Sequence, residues 1–271
     1  QMGISFEFII RLYIAFFFNF VNIVFVFFDL EYDYKLFSMS FDFKNKVVLI
    51  TGASGNLGSV LALEFARAQA KIVLASRNVN SLVELTSKLD AIKAPYVCVE
   101  LDVKSYGSCE RAIGLAIEKF GKVDVVVNNA SDCLEGWDLS RMLLENIDAE
   151  IHTTYRSVIY TTKAVLPHFL EKQQGVIANV SSVSGVSEGS CPIYSADKAA
   201  VIRFTETMQP HLAVHNIKMT CVVPPNIRFD NLVEQNAVSF KDVAFAIMMQ
   251  CLPGDNLAMP VVHLKPTHIN D

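Results

Sequence analysis

Tyr194 and Lys198 stand four residues apart in YSADKAAVIRFTETM. On a helix that spacing puts a phenol and an ammonium on one face. A phenol ordinarily ionises near ~10, and a neighbouring cation favours its phenolate. Just upstream, GVIANVSS is an apolar run closed by Ser181 and Ser182, the pattern of a buried strand delivering a hydroxyl at its end. Phenol, ammonium and hydroxyl together suit the gain or loss of a proton at a carbonyl or alcohol oxygen. The same Tyr and Lys would also fit an ordinary surface helix, so the surrounding elements have to discriminate.

Those elements alternate. KVVLITGASGNLG is a β-branched run ending in a small-residue turn, and SVLALEFARAQA reads as a helix beginning near Leu57. AKIVLASRN, APYVCVELDV, KVDVVVNNA, GVIANVSS, NIKMTCVVPP and MPVVHLK are further strands, with helices between most of them. One weakly periodic helix is expected over about 138–170. Continuous apolar strands alternating with helices predict an α/β fold, a doubly wound, Rossmann-like parallel sheet covered on both faces. Ligands in such sheets sit at the carboxyl ends of the strands.

The turn after the first strand, Thr51 to Gly58, carries Gly52, Ser54, Asn56, Leu57 and Gly58. Small residues there let backbone approach a pyrophosphate, and the following helix offers its N-terminal amides. The second strand ends in Ala75-Ser76-Arg77, with no acid for a ribose 2′-hydroxyl. Arg77 can pair a 2′-phosphate instead, which favours NADP(H) over NAD(H). It also fits a solvated loop charge. Asp102 suits either an adenine amino group or a cap on the next helix. Asn128 and Asn129 close the fourth strand, where amides can hold neighbouring strands and line a cofactor floor.

The 271 residues carry a net charge of -5 and no basic stripe, which argues against nucleic acid as partner. Cys98, Cys109, Cys133, Cys191, Cys221 and Cys251 form no CxxC or Cys/His cluster, so neither a structural metal nor a dense disulfide framework is expected. The mean hydropathy of +0.33 owes much to a Phe-rich leader. Residues 13–28, YIAFFFNFVNIVFVFF, lack any charge, and the run approaches the ~17 residues of the shortest spanning helices. Residues 1–30 are therefore read as a hydrophobic helix anchoring the chain in a membrane, with a buried or interfacial helix as the alternative, 31–44 as a linker and 45–271 as the catalytic domain. The sequons at Asn129 and Asn179 fall on core strand ends and are expected to stay unused.

TGASGNLG, LDV, NNA, VSS and YSADK, in this order and spacing, resemble the short-chain dehydrogenase/reductase family over about Lys46 to Leu264. With TTKAVLPHFLEKQQGVI and NLVEQN, the leader looks most like the membrane-anchored group around dehydrogenase/reductase SDR family member 7. The resemblance implies hydride transfer between a nicotinamide and a carbonyl or secondary alcohol. It makes Tyr194 the acid/base, Lys198 its pKa-lowering partner on the nicotinamide ribose, and Ser182 the holder of the substrate oxygen, with Ser181 as alternative. Ser54, Leu57, Arg77, Asp102, Val103, Asn129, Ala130 and Ile227 match cofactor-contacting positions. A homodimer through helices around 150–168 and 194–209 follows by the same likeness. A lipophilic substrate and an intracellular membrane, the endoplasmic reticulum, follow from the anchored group.

Several residues depart from the family pattern. Asn56 replaces a Gly and is expected to need φ > 0 and to crowd a phosphate. Ser131 replaces the last Gly of NNAG, Pro225 that of Pro-Gly, and Thr154 the usual Asn of a fourth catalytic position, where its hydroxyl could hold a relay water. Ser182 stands twelve residues before Tyr194, one fewer than is usual. The lid segment 228–240 is short. These departures motivate an alternative: a catalytically impaired relative acting as a binding or scaffold module. His168 is expected to face solvent, Cys191 to be inert and Trp137 to pack or wall the substrate entrance.

Overall fold

A computed structural model describes residues 24–25, 42–132, 138–187, 191–228, 237–252 and 258–266. The seven expected strands are present: β2 (Val47–Thr51), β3 (Lys71–Ser76), β4 (Tyr96–Glu100), β5 (Val125–Asn128), β6 (Gly175–Val180), β7 (Ile217–Val223) and β10 (Val261–His263). With a two-residue strand β1 (Val24–Phe25) they form an eight-stranded sheet ordered β1-β10-β7-β6-β5-β2-β3-β4, every pair parallel. Strands β2 and β5 are buried throughout, as a sheet covered on both faces requires.

Alternate residues of β2 serve opposite layers. Val48 and Ile50 pack with Leu61 and Phe65 of helix α1 (Asn56–Arg67) and Ile247 of helix α7 (Phe240–Cys251). Val47 and Leu49 pack with Ala112 of α3 (Tyr106–Phe120) and Val165 and Phe169 of α5 (Ser157–Lys172). Phe65 is fully buried, edge-on to Phe43 at 4.9 Å, a burial worth ~2–3 kcal/mol. Helix α2 (Val83–Ala91) covers the outer strands, and α6 (Pro192–Ala213) lies against β7.

Three sequence expectations change. The helix expected over about 138–170 is broken into a 3-10 turn (Leu139–Arg141), α4 (Leu144–Ile151), a π-helical segment (His152–Arg156) and α5. Hydroxyls compete for the backbone there: Thr153 Oγ1 donates to the Ala149 carbonyl at 2.8 Å and Ser157 Oγ to that of Thr153 at 2.6 Å. Such side-chain insertion loosens the regular ladder, and the weak periodicity was its trace in the sequence. Beyond the main sheet, β8 (Asn226–Arg228) pairs in parallel with β9 (Ala237–Ser239), a pairing too short to leave a periodic signal. Residues 229–236 of the lid segment lie outside the described residues.

The hydrophobic leader also lies outside them, except at Val24–Phe25. There the expected helix is replaced by the strand β1, which pairs with Val262–His263. An uncovered strand edge offers unpaired amides and carbonyls, and a β-branched/aromatic dipeptide suits it. Among the described residues no helix is long and apolar enough to cross a membrane.

Candidate active site

From β2 the chain winds outward to β3 and β4, and from β5 it winds the other way to β6, β7 and β10. The carboxyl ends of β2 and β5 therefore bound the crevice where the winding reverses, the place such sheets bind ligands. The glycine turn, Asn129 to Asp132, Ser181–Ser182 and the start of α6 all sit at this end.

The glycine turn is built for close approach. Gly52 has φ +63°, and a Cβ on Gly58 would lie 2.3 Å from the Gly52 carbonyl oxygen. Asn129 bolts the turn down: its Nδ2 donates to the carbonyls of Thr51 at 2.9 Å and Gly52 at 3.2 Å. Thr51 Oγ1 accepts the N–H groups of Asn129 and Ala130, both at 3.0 Å. Helix α1 begins after Gly55 with no side-chain cap, so its first amides are left for an anion, and Leu57 and Gly58 are buried behind them. Asn56 is the first residue of this helix and exposed; the positive φ expected of it is absent. A first helical position already demands αR, so the turn takes its left-handed residue at Gly52 alone.

Around the turn, Ser54 Oγ lies 3.1 Å from Ser76 Oγ. Arg77, with 61% of its side chain exposed, reaches within 3.9 Å of the Asp132 carboxylate. Asp102 is not the cap of α3; Ser105 is, accepting the Ser108 N–H. Asp102 Oδ1 instead accepts the Lys104 N–H at 3.0 Å, which fixes the strand-end turn, and Val103 is buried beside it. Ile227, on β8, is half-buried against the core next to Val238. These positions fit a dinucleotide: a close-approach turn, uncapped helix amides and an Arg at the end of β3.

The catalytic candidates meet at the start of α6. Pro192 opens the helix, Tyr194 is half-buried in its first turn, and Lys198 follows one turn later, 3% exposed. Lys198 Nζ lies 5.4 Å from the Tyr194 ring centroid and donates to the Val180 carbonyl at 2.9 Å. Burial pulls the Lys198 ammonium down to about 8, against the pull of Cys221 and Asp197. The two serines separate. Ser181 is buried and its Oγ donates to the Lys198 carbonyl at 2.8 Å, whereas Ser182 Oγ is half-buried and accepts the Ser184 N–H at 3.2 Å. Among the described residues Ser182 donates to none, which leaves its proton for a ligand, and Ser181 has spent its proton on the helix.

Thr154, 1% exposed in the π-helical segment, lies 3.2 Å from Ser131 Oγ and donates to the Asp132 carbonyl at 3.1 Å. Its hydroxyl thus bonds to the loop after β5. Pro224, before Pro225, uses its carbonyl to accept the Val183 N–H at 2.8 Å, tying the loop after β7 to the serine turn. Asn128 Nδ2 donates to Asn179 Oδ1 at 2.8 Å, and Asn179 Nδ2 to Thr205 Oγ1 at 2.8 Å, so β5, β6 and α6 are joined by buried amides. A glycan on Asn179 would break these bonds, and one on Asn129 those to the Thr51 and Gly52 carbonyls.

Some groups near the site carried no sequence signal. Asp197 is 6% exposed on the inner face of α6, its Oδ2 without a hydrogen-bond partner among the described residues. Burial, then the Glu150 carboxylate, pushes it up to about 6, against the Lys198 charge. Only its spacing after Tyr194, on the face that turns inward, could have marked it. At the opposite, amino end of the strands, His168 is half-buried and not simply solvent-facing: its Nε2 accepts the Val123 N–H at 3.1 Å, and burial lowers its basicity. Trp137 lies outside the described residues. A groove of about 700 Å³ opens at the opposite, amino end of the strands, between Lys46, Asp124, Gly175 and Lys218. It is remote from Tyr194, and Lys218 Nζ there already donates to the Leu252 carbonyl.

Comparison with known proteins gives the family. The short chain dehydrogenase family matches residues 46–238. The 3-oxoacyl-(acyl-carrier-protein) reductase FabG of Thermotoga maritima is 34% identical over 185 residues, 67% of this chain and 74% of that protein. The 1,6-dihydroxycyclohexa-2,4-diene-1-carboxylate dehydrogenase of Acinetobacter baylyi is 31% identical over 180 residues, 66% of this chain and 68% of that protein. A metagenomic short-chain oxidoreductase crystallised with NADP superposes with a TM-score of 0.73 at 23% identity, over 83% of this chain and 99% of its own. A 7α-hydroxysteroid dehydrogenase held with NADH and 7-oxo glycochenodeoxycholic acid gives 0.77 at 20%, over 85% of this chain and 97% of its own. The chain belongs to the short-chain dehydrogenase family, the NAD(P)-dependent short-chain dehydrogenases/reductases.

Proposed function

We propose that the protein interconverts a carbonyl and a secondary alcohol, with Tyr194 as acid/base, Ser182 holding the substrate oxygen and NADP(H) favoured over NAD(H). A nicotinamide dinucleotide in the crevice supplies or accepts the hydride. In the reducing direction Tyr194 Oη gives its proton to the carbonyl oxygen as negative charge develops there. Ser182 Oγ donates a hydrogen bond to the same oxygen, an interaction that strengthens toward the transition state. The Lys198 ammonium lies beneath the phenol, where it favours the charge that the departing proton leaves behind. Further Lys198 protons, beyond the one given to Val180, are available to a ribose hydroxyl.

The observation that carries this reading is the division of labour between the two serines: Ser181 is consumed by Lys198 and Ser182 is left a proton to give. The cofactor preference rests on Arg77, a cation at the end of β3 where an acid would serve a ribose diol. A lipophilic substrate, a place at the endoplasmic reticulum membrane, and a homodimer through α5 and α6 belong to the same proposal. They draw on the apolar leader and on the likeness to the membrane-anchored group.

NADPH oxidation against a panel of carbonyl compounds tests it, with Tyr194→Phe alongside. Turnover lost in the variant, with NADPH binding kept, is the expected result. Tight NADPH binding without turnover in the wild type would favour the binding-module reading instead. Equal activity in Tyr194→Phe would remove Tyr194 from the chemistry.

A further inference from the structure

Ser131 and Thr154, two departures from the family pattern, are in contact. Their hydroxyl oxygens lie 3.2 Å apart across 23 residues of sequence. Thr154 Oγ1 also serves both backbone groups of Asp132: it donates to the carbonyl at 3.1 Å and receives the N–H at 3.4 Å. A hydroxyl has one proton and two lone pairs. The Thr154 proton is taken by the Asp132 carbonyl, so Ser131 is the donor in the shared bond, and the capacity of Thr154 is full.

The two ends of this contact belong to different parts of the site. Residues 129–130 are fixed to the glycine turn through Thr51, on the nucleotide side. Thr154 lies in the π-helical segment that packs against α6, the helix of Tyr194 and Lys198. We propose that Ser131 and Thr154 form a positioning pair that pins the loop leaving β5 to the layer carrying the catalytic helix. The pair sets the separation between the floor of the nucleotide crevice and the phenol, a distance on which hydride transfer depends steeply. It also fixes Asp132, whose carboxylate faces Arg77. A serine in place of glycine and a threonine in place of asparagine are then one compensated change and not two lesions. This inference rests on the proposed nucleotide-binding role only for its third readout below.

The test uses the full chain with Ser131→Ala, Thr154→Val, the two combined, and Thr154→Ser. Thermal unfolding, amide exchange at Asp132 and the emission of bound NADPH are measured for each. Thr154→Val should speed Asp132 exchange about tenfold, the loss of one buried hydrogen-bonded anchor. Ser131→Ala should speed it less, and the combined variant should melt no lower than Thr154→Val, because Ser131 acts through Thr154. Thr154→Ser, which keeps the hydroxyl, should restore wild-type exchange and wild-type NADPH emission, while Thr154→Val shifts that emission toward the free cofactor. Additive melting losses, unchanged exchange in Thr154→Val, or Thr154→Ser as impaired as Thr154→Val would each overturn the pairing. Should Thr154→Val not fold, unchanged Asp132 exchange in Ser131→Ala overturns it alone. Failure of the wild type to bind NADPH would sink the nucleotide reading, while melting and exchange still decide the pair.

Discussion

Ser181 Oγ donates to the backbone carbonyl of Lys198 at 2.8 Å, joining the end of β6 to the catalytic helix at the residue that carries the ammonium. The neighbouring Ser182 follows this anchored residue directly in the chain. The two hydroxyls, adjacent in sequence, should fail differently. Ser182→Ala is expected to cut kcat by about 10²–10³ with NADPH affinity unchanged, as for loss of a donor aimed at a developing oxyanion. Ser181→Ala should chiefly lower stability, by ~1–2 kcal/mol. Steady-state kinetics and denaturant melts on the pair check this, and a reversed pattern would reassign the catalytic serine.

Burial lowers Lys198 to about 8 in the free protein. Because the folded value lies below that of an unfolded lysine, folding is disfavoured while both states are protonated. Stability contributed at this site therefore rises between about pH 8 and pH 10.5. Activity runs the other way: the helpful cation is lost above about pH 8, giving kcat/KM an alkaline limb there. Lys198→Arg, which keeps its charge, should be slower and should lack that limb. An unmoved limb would assign it to another group.

Asp197 has the opposite sign. Its folded value, about 6, lies above the ordinary 3.8, so the folded state holds the extra proton and stability falls as pH rises between those values. Asp197→Asn should raise the melting temperature by a few °C at pH 7. The gain should vanish below about pH 4, where both folded and unfolded carboxyls are neutral. Equal shifts at both pH values would contradict the assignment.

Arg77 and Asp132 form an exposed pair across the nucleotide crevice. Asp132 competes with a 2′-phosphate for the guanidinium, so Asp132→Asn should tighten NADPH several-fold and leave NADH nearly unchanged, with the gain shrinking at high salt. Arg77→Ala should weaken NADPH far more than NADH. Equal losses of the two nucleotides in Arg77→Ala would count against the phosphate role.

Asn179 is fully buried and serves Asn128 and Thr205 at once. Asn179→Ala should cost ~2–3 kcal/mol, because two buried partners lose their bonds. Chemical melts read this directly. A neutral outcome would mean that the chain of amides is not a strut between β5, β6 and α6.

The sequence by itself determined the sheet, the glycine turn and the Tyr–Lys helix. Apolar runs of five to seven residues such as VVLIT and IKMTCVV report burial on both faces, and a four-residue spacing reports a shared helix face; both are local periodicities. The juxtaposition of Tyr194 and Lys198 was legible too, because they are one turn apart on one element. Tertiary structure alone decided which serine has a free proton, that Asn56 sits in ordinary helical backbone, and that Thr154 spends its hydroxyl on Ser131 and Asp132. It also decided that Asp197 is buried beside Lys198. The bonds of Ser181 and Thr154 join partners distant in the chain, and a hydrogen bond between residues 131 and 154 leaves no period, spacing or composition in the chain that encodes it.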